Sequence, residues 1–229
     1  MEIKIGIIGG MGPMATVEFL KTLTDATDAN TDQEHVNYIL YNIPEIPSRM
    51  DAFFHGGKTP VGDINKGIEF LSIKGIQKIA IPCNTAHIWF KEFEGQGKLL
   101  NMINLTVENI AMSGFKKVGM LATTATLESG LYINDLRKQN IEVLIPDHED
   151  TVMSAVELVK NGNIKAARET ILPVINEFKS KGCDSILMAC TEMPVILNEE
   201  DTPLQLINSD RILAEAIIRA AGKKVRAKH

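Results

Sequence analysis

The sequence predicts an α/β protein built on parallel sheets that helices cover on both faces. Three observations carry that prediction. Short β-branched runs alternate with longer amphipathic stretches along the whole chain. The short runs are apolar throughout, as expected of strands buried on both faces. Several of them end in small-residue turns that open a helical pattern, the mark of strand–turn–helix units.

The elements follow in order. Ile3–Ile8 reads as a first strand, although its apolar run near the N-terminus could be taken for a short signal segment. It holds glycines and lacks a small-residue cleavage site, which favours a buried strand. The turn Gly9-Gly10-Met11-Gly12-Pro13 leads into a helical pattern over Ala15–Ala26. Strands are expected at Val36–Tyr41 and Lys78–Pro82, with a helix at Gly62–Ile73 before the latter. A second turn, Pro82-Cys83-Asn84-Thr85-Ala86-His87, follows. Lys117–Ala122 runs into a third turn, Thr123-Thr124-Ala125-Thr126. Next come a strand at Ile141–Ile145 and helices at Thr151–Lys160 and Ile164–Ser180. Ser185–Met188 then leads into the fourth turn, Ala189-Cys190-Thr191-Glu192. A last strand, Leu204–Ile207, and a helix, Arg211–Ala221, complete the set.

The second and fourth turns share a plan: strand, cysteine, a hydroxyl within two residues, helix start. That similarity suggests two related lobes. Gly95-Gln96-Gly97 breaks a helical stretch and marks the split, and a crossing near Asn198–Pro203 returns the C-terminal strand and helix to the first lobe. The expected division is 1–98 plus 207–229 against 99–206, with the active site between the lobes.

Composition narrows the function. The chain has 229 residues, 45% of them hydrophobic, enough for one large domain or two small ones. The net charge is −5 and no basic stripe appears beyond the tail Lys223–His229, which argues against a nucleic-acid partner. No run approaches the ~18 apolar residues of a membrane span. The cysteines are Cys83, Cys183 and Cys190, with no C-x-x-C pair. An odd, small count suits free thiols in a reducing cytoplasm, and scattered histidines make a zinc site an unpromising reading.

Motifs at the strand ends carry the chemistry, because ligands of open parallel sheets bind beyond the carboxyl ends of the strands. The first turn is not G-x-G-x-x-G, and Tyr41-Asn42 stand where a ribose-binding acid would be expected, so nicotinamide binding is disfavoured. It reads equally as a tight turn needing positive φ and as a carboxylate site at a helix start, and both can hold. Cys183 precedes a strand and reads as core. Cys83 and Cys190 each end a strand and begin a helix, where peptide dipoles are expected to lower the thiol pKa. Two such thiols suit racemisation. That reaction needs a base on one face of a tetrahedral carbon and an acid on the other, with roles exchanged in reverse.

These elements together resemble the aspartate/glutamate racemase family, in particular its archaeal-type aspartate racemases. The resemblance rests on Ile7-Ile8-Gly9-Gly10-Met11-Gly12-Pro13 with Ala15-Thr16, and on Asn42-Ile43-Pro44 with Pro47-Ser48-Arg49. It continues through Pro82-Cys83-Asn84-Thr85-Ala86-His87, Ala122-Thr123-Thr124 and Ala189-Cys190-Thr191-Glu192. Ala189 departs from the glycine that many relatives carry there. The resemblance implies two Rossmann-like lobes related by pseudo-twofold symmetry, no pyridoxal phosphate or other cofactor, no metal, an acidic amino acid as substrate and a homodimer. It implies Cys83 and Cys190 as catalytic residues. It assigns Arg49 and Lys160 to the two substrate carboxylates, and Asn84, Thr85 and Thr191 to the pocket. Met11 and Thr124, on the first and third turns, complete the substrate-binding set. His87 and Glu192 read equally as modulators of thiol charge and as helix caps. The expected activity is interconversion of L- and D-aspartate. The alternatives are a glutamate or broad-specificity racemase, a maleate-type cis-trans isomerase, and a non-catalytic amino-acid-binding module.

Overall fold

The computed structural model describes residues 4–227. Ile3, the expected start of the first strand, and the last two residues of the Lys223–His229 tail lie outside the described residues. The chain divides into two units, at Leu105/Thr106 and again at Ser209/Asp210.

The first unit contains β1 (Ile5–Gly9), α1 (Pro13–Ala26), β2 (Tyr38–Asn42), α2 (Arg49–His55), α3 (Val61–Ile73), β3 (Lys78–Ala80) and β4 (Leu99–Leu100). A 3-10 segment, Thr85–Glu92, kinks at Trp89 between β3 and β4. The helix α4 (Met102–Ser113) crosses the first boundary. The four strands are parallel in the order β2-β1-β3-β4. Alternation along the strands sorts the core. Ile8, Ile79 and Ile81 pack with Ile64, Ile68 and Leu71 of α3. Ile5, Ile7 and Ala80 pack with Phe19 and Leu23 of α1. The C-terminal helix α10 (Ser209–Ala220) adds Leu213, Ala214, Ile217 and Ile218 to that second cluster.

The second unit contains β5 (Lys117–Ala122), α5 (Thr124–Glu128), α6 (Ile133–Lys138), β6 (Glu142–Leu144), α7 (Glu149–Lys160), α8 (Ile164–Ser180), β7 (Ser185–Ala189), α9 (Met193–Ile196) and β8 (Gln205–Asn208). Its strands are again parallel, in the order β6-β5-β7-β8. The two sheets therefore share one topology, with the opening strand beside the third. Leu121, Ile186 and Met188 meet Val152, Val156, Ile171 and Phe178 from α7 and α8 in a single cluster.

One expectation is corrected. The strand at Leu204–Ile207 was to return to the first lobe, but β8 stays in the second sheet, with Ser185–Met188 paired to Gln205–Asn208. Only the helix behind it crosses over, because its apolar face fits the Ile5–Phe19 cluster. Edge pairing satisfies the backbone of β8 locally, and the chain leaves the sheet only afterwards. No helix among the described residues is long and apolar enough to cross a membrane.

Close helix–sheet contact in the second unit depends on Gly119 in β5. A Cβ there would sit 2.5 Å from the ring of Phe178, which is fully buried. Gly119→Ala should therefore cost about 1–3 kcal/mol of stability through overpacking. Urea unfolding measures it, and a loss below about 0.5 kcal/mol would mean that α8 yields freely.

Candidate active site

Each sheet places two turns side by side at the carboxyl ends of its central strands. In the first unit, Ile7 pairs with Ala80, so the glycine turn after β1 and the cysteine turn after β3 leave adjacent strands. In the second, Ala122 pairs with Ala189, which sets Thr123 next to Cys190.

The glycine turn shows the conformational need directly. Gly10 has φ +103, and a Cβ would run into the Ile43 carbonyl, so only glycine fits. Its N–H donates to Thr16 Oγ1 at 2.9 Å, and that hydroxyl donates to the Gly12 carbonyl at 3.0 Å. Pro13 has no N–H to offer at the start of α1. The Gly10 N–H is thus engaged within the turn and does not serve a carboxylate. Met11 is buried in the same apolar cluster as Cys83.

Cys83, Asn84 and Thr85 are all buried, in the stretch where β3 gives way to the 3-10 segment. The Cys83 N–H donates to the Ile81 carbonyl at 2.8 Å. His87 Nδ1 lies 2.9 Å from the Cys83 carbonyl. Arg49 opens α2, behind Ser48, which caps that helix by accepting from the Asp51 N–H at 3.2 Å. The half-buried Arg49 guanidinium donates to the Pro47 carbonyl at 3.2 Å.

In the second unit Cys190 and Thr191 are buried beside Glu192, itself only 5% exposed. The Cys190 thiol donates to Glu192 Oε2 at 3.0 Å, and the Thr191 hydroxyl donates to the same oxygen at 3.2 Å. Thr124 is half-buried at the first turn of α5, where Thr123 caps by accepting from the Thr126 N–H at 3.3 Å. Lys160 ends α7 with an exposed side chain, yet its charge reaches Cys190. Cys183 is buried just ahead of β7, as core. Among the described residues no three His, Cys, Asp or Glu side chains gather to hold a metal.

The expected lowering of the Cys190 pKa is corrected. Complete burial and the Glu192 carboxylate push this thiol well above its ordinary value, and Lys160 only partly offsets them. The helix behind it, α9, is a single turn of four residues, too short to build a substantial dipole. Cys83 likewise meets a kinked 3-10 segment and not an α-helix.

His87 and Glu192 were outside the predicted site, and the structure decides between their two readings. Neither caps the helical segment that begins beside its own cysteine; His87 instead accepts the N–H of Met102 at the start of α4, at 3.2 Å. Glu192 is the N-cap residue of α9 but makes no side-chain cap bond there. Its carboxylate serves the thiol. The signal available in sequence was spacing alone, two residues past Cys190 and four past Cys83.

Glu192→Gln keeps the acceptor and removes the charge. The variant should lower the pH midpoint of Cys190 alkylation by about one unit or more, followed by iodoacetamide labelling and peptide mass spectrometry. An unchanged midpoint would show that the carboxylate does not govern the thiol.

Comparison with known proteins bears on the family and the fold. A family model described as Asp/Glu/Hydantoin racemase matches residues 8–217. The structure of Picrophilus torridus aspartate racemase is similar at 52% identity and a TM-score of 0.94, over 97% of this chain and 96% of that one. An aspartate racemase homologue from Pyrococcus horikoshii is similar at 25% identity and a TM-score of 0.75, over 97% of this chain and 100% of that one. The broad-specificity amino-acid racemase RacX of Bacillus subtilis is 26% identical over 221 residues, 93% of this chain and 96% of the relative. Two sheets of one topology, a thiol at the end of the third strand in each, and a family match along nearly the whole length lead to one assignment: the chain belongs to the Asp/Glu/hydantoin racemase family.

Proposed function

We propose that this racemase interconverts L- and D-aspartate by proton transfer between two thiols, Cys83 and Cys190. One observation carries the reading: equivalent turns of two sheets with the same strand order each present a buried cysteine. Duplicated chemistry suits a reaction whose forward and reverse directions exchange acid and base. The 52% identity to an aspartate racemase supports the choice of substrate.

The Cys190–Glu192 bond supports an order of events. Cys190 rests as the thiol, because ionising it would set thiolate against carboxylate in a buried place. The complementary role falls to Cys83. Its thiolate takes the Cα proton of one enantiomer, forming S–H and leaving the C–H electron pair on the carbanion. Cys190 then delivers its proton to the opposite face, and its S–H electron pair stays on sulfur. The enzyme ends with the roles exchanged and is ready for the other enantiomer. Arg49 and Lys160 are the cations proposed for the two carboxylates, guanidinium being suited to bidentate recognition. Asn84, Thr85, Thr124, Thr191 and Met11 are proposed to line the pocket. Charge developing on the α-carboxylate needs fixed donors, since no electron sink takes part in the scheme. The proposed active form is a homodimer.

The test is chiral chromatography of L-aspartate incubated with the purified protein. D-Aspartate should form, and Cys83→Ser and Cys190→Ser should each lower its rate by about 10²-fold or more. Either variant racemising at the wild-type rate would overturn the two-thiol scheme. Arg49→Ala and Lys160→Ala should each weaken aspartate turnover, and the one that removes the cation of the side-chain carboxylate should also shrink the advantage of aspartate over alanine. Glutamate turned over faster than aspartate would overturn the substrate assignment but not the scheme.

A further inference from the structure

The first unit buries a titratable ring that proton transfer does not use. His87 is only 2% exposed, stacked on Phe90 with centroids 5.3 Å apart and planes at 8°. Its Nδ1 faces the Cys83 carbonyl at 2.9 Å. A carbonyl oxygen only accepts, so Nδ1 carries the hydrogen. Its Nε2 receives the N–H of Met102 at 3.2 Å. Met102 opens α4, where backbone N–H groups have no partner within the helix. One neutral tautomer, Nδ1–H with a bare Nε2, satisfies both bonds. The imidazolium would set Nε2 against the Met102 N–H as a second donor, while the Leu100 backbone beside the ring favours the charged form. Burial pulls the ring pKa down to about 4, against the opposing pull of the Cys83 and Leu100 backbones.

These bonds reach the one residue of the turn that bears a thiol. Cys83 lies past the end of β3 and before the 3-10 segment, where no ladder or helix holds it. Its N–H is fixed to the Ile81 carbonyl at 2.8 Å and its own carbonyl to His87. Both peptide groups flanking the thiol are therefore held.

We propose that His87 is a positioning residue for Cys83: a neutral, tautomer-locked strut that ties the Cys83 carbonyl to the first turn of α4 and so fixes where the thiol points. The inference rests on the reading of Cys83 as a proton-transfer residue. It gives the α4 start, far along the sequence from the thiol, a part in setting the thiol's aim. A displacement of about 1 Å at such a group can cost ~10²-fold in rate, so a rigid tie has a measurable value.

Two variants separate hydrogen bonding from packing. His87→Phe keeps a flat ring against Phe90 and loses both bonds. His87→Gln offers an amide donor and acceptor in their place. For His87→Phe, kcat on aspartate should fall about tenfold or more while KM stays within about threefold. The Cys83 alkylation rate should change while that of Cys190, in the other unit, does not. His87→Gln should recover most of both. A folded His87→Phe with wild-type kcat and Cys83 labelling would overturn the proposal, as would equal changes at both cysteines. Nitrogen-15 histidine NMR on the wild-type protein tests the tautomer without any variant. The ring should stay Nδ1–H from about pH 8 to about pH 5, and a proton on Nε2, or titration near the ordinary value of 6.5, would overturn it. An active Cys83→Ser would remove the catalytic reading and leave the strut to be judged by labelling and NMR. An inactive Cys83→Ser beside a normal His87→Phe would remove the strut alone.

Discussion

Parallel pairing of the first and third strands of each sheet is the constraint on which the site depends. In an open parallel sheet whose strand order reverses, turns from neighbouring strands leave in opposite directions and open a crevice at the carboxyl edge. The pairs Ile7–Ala80 and Ala122–Ala189 bring those turns together in the two units. Met11 consequently shares an apolar cluster with Cys83, and Thr123 adjoins Cys190. A slip of one residue along β3 or β7 would turn its buried alternation inside out and redirect the cysteine turn with it.

The two thiols sit in similar topology, and the bonds described around each differ in kind. Cys190 is bound to a buried carboxylate, which stabilises its proton. Cys83 is held through its backbone, by one carbonyl ahead of it and one imidazole behind it. An acid that keeps its proton until a carbanion forms opposite it needs the first kind of environment. A base that must reach one hydrogen on one carbon benefits from the second.

Much of this was legible in the sequence. A strand buried on both faces carries a continuous apolar run and an amphipathic helix a 3.6-residue period, so β5 and α8 were read at their observed limits and most other elements within a few residues. Positive φ at Gly10 was legible because few other reasons place glycines between a strand and a helix. β4 was not, since two residues carry no periodicity. The placement of β8 was not, because an apolar strand pattern says nothing about which sheet receives it. The direction of the Cys190 pKa shift was misread because sequence gives a helix start but not the length of the helix or the aim of a neighbouring carboxylate. Glu192 and His87 were equally open to capping and to modulation on spacing alone; geometry gives Glu192 to its thiol, while His87 both holds the Cys83 carbonyl and accepts from the first N–H of α4.

The central claim is that two different groups act on the two faces of one carbon. Hydrogen tracing tests it most directly. L-Aspartate is incubated with the wild-type protein in deuterated water, and both enantiomers are analysed by chiral separation and mass spectrometry while little product has formed. The account predicts deuterium in nearly all of the D-aspartate and protium in the recovered L-aspartate, because the group that reprotonates is not the one that abstracted the proton. Early deuterium in the recovered L-aspartate at the level found in the product would mean that a single group serves both faces, and would contradict it.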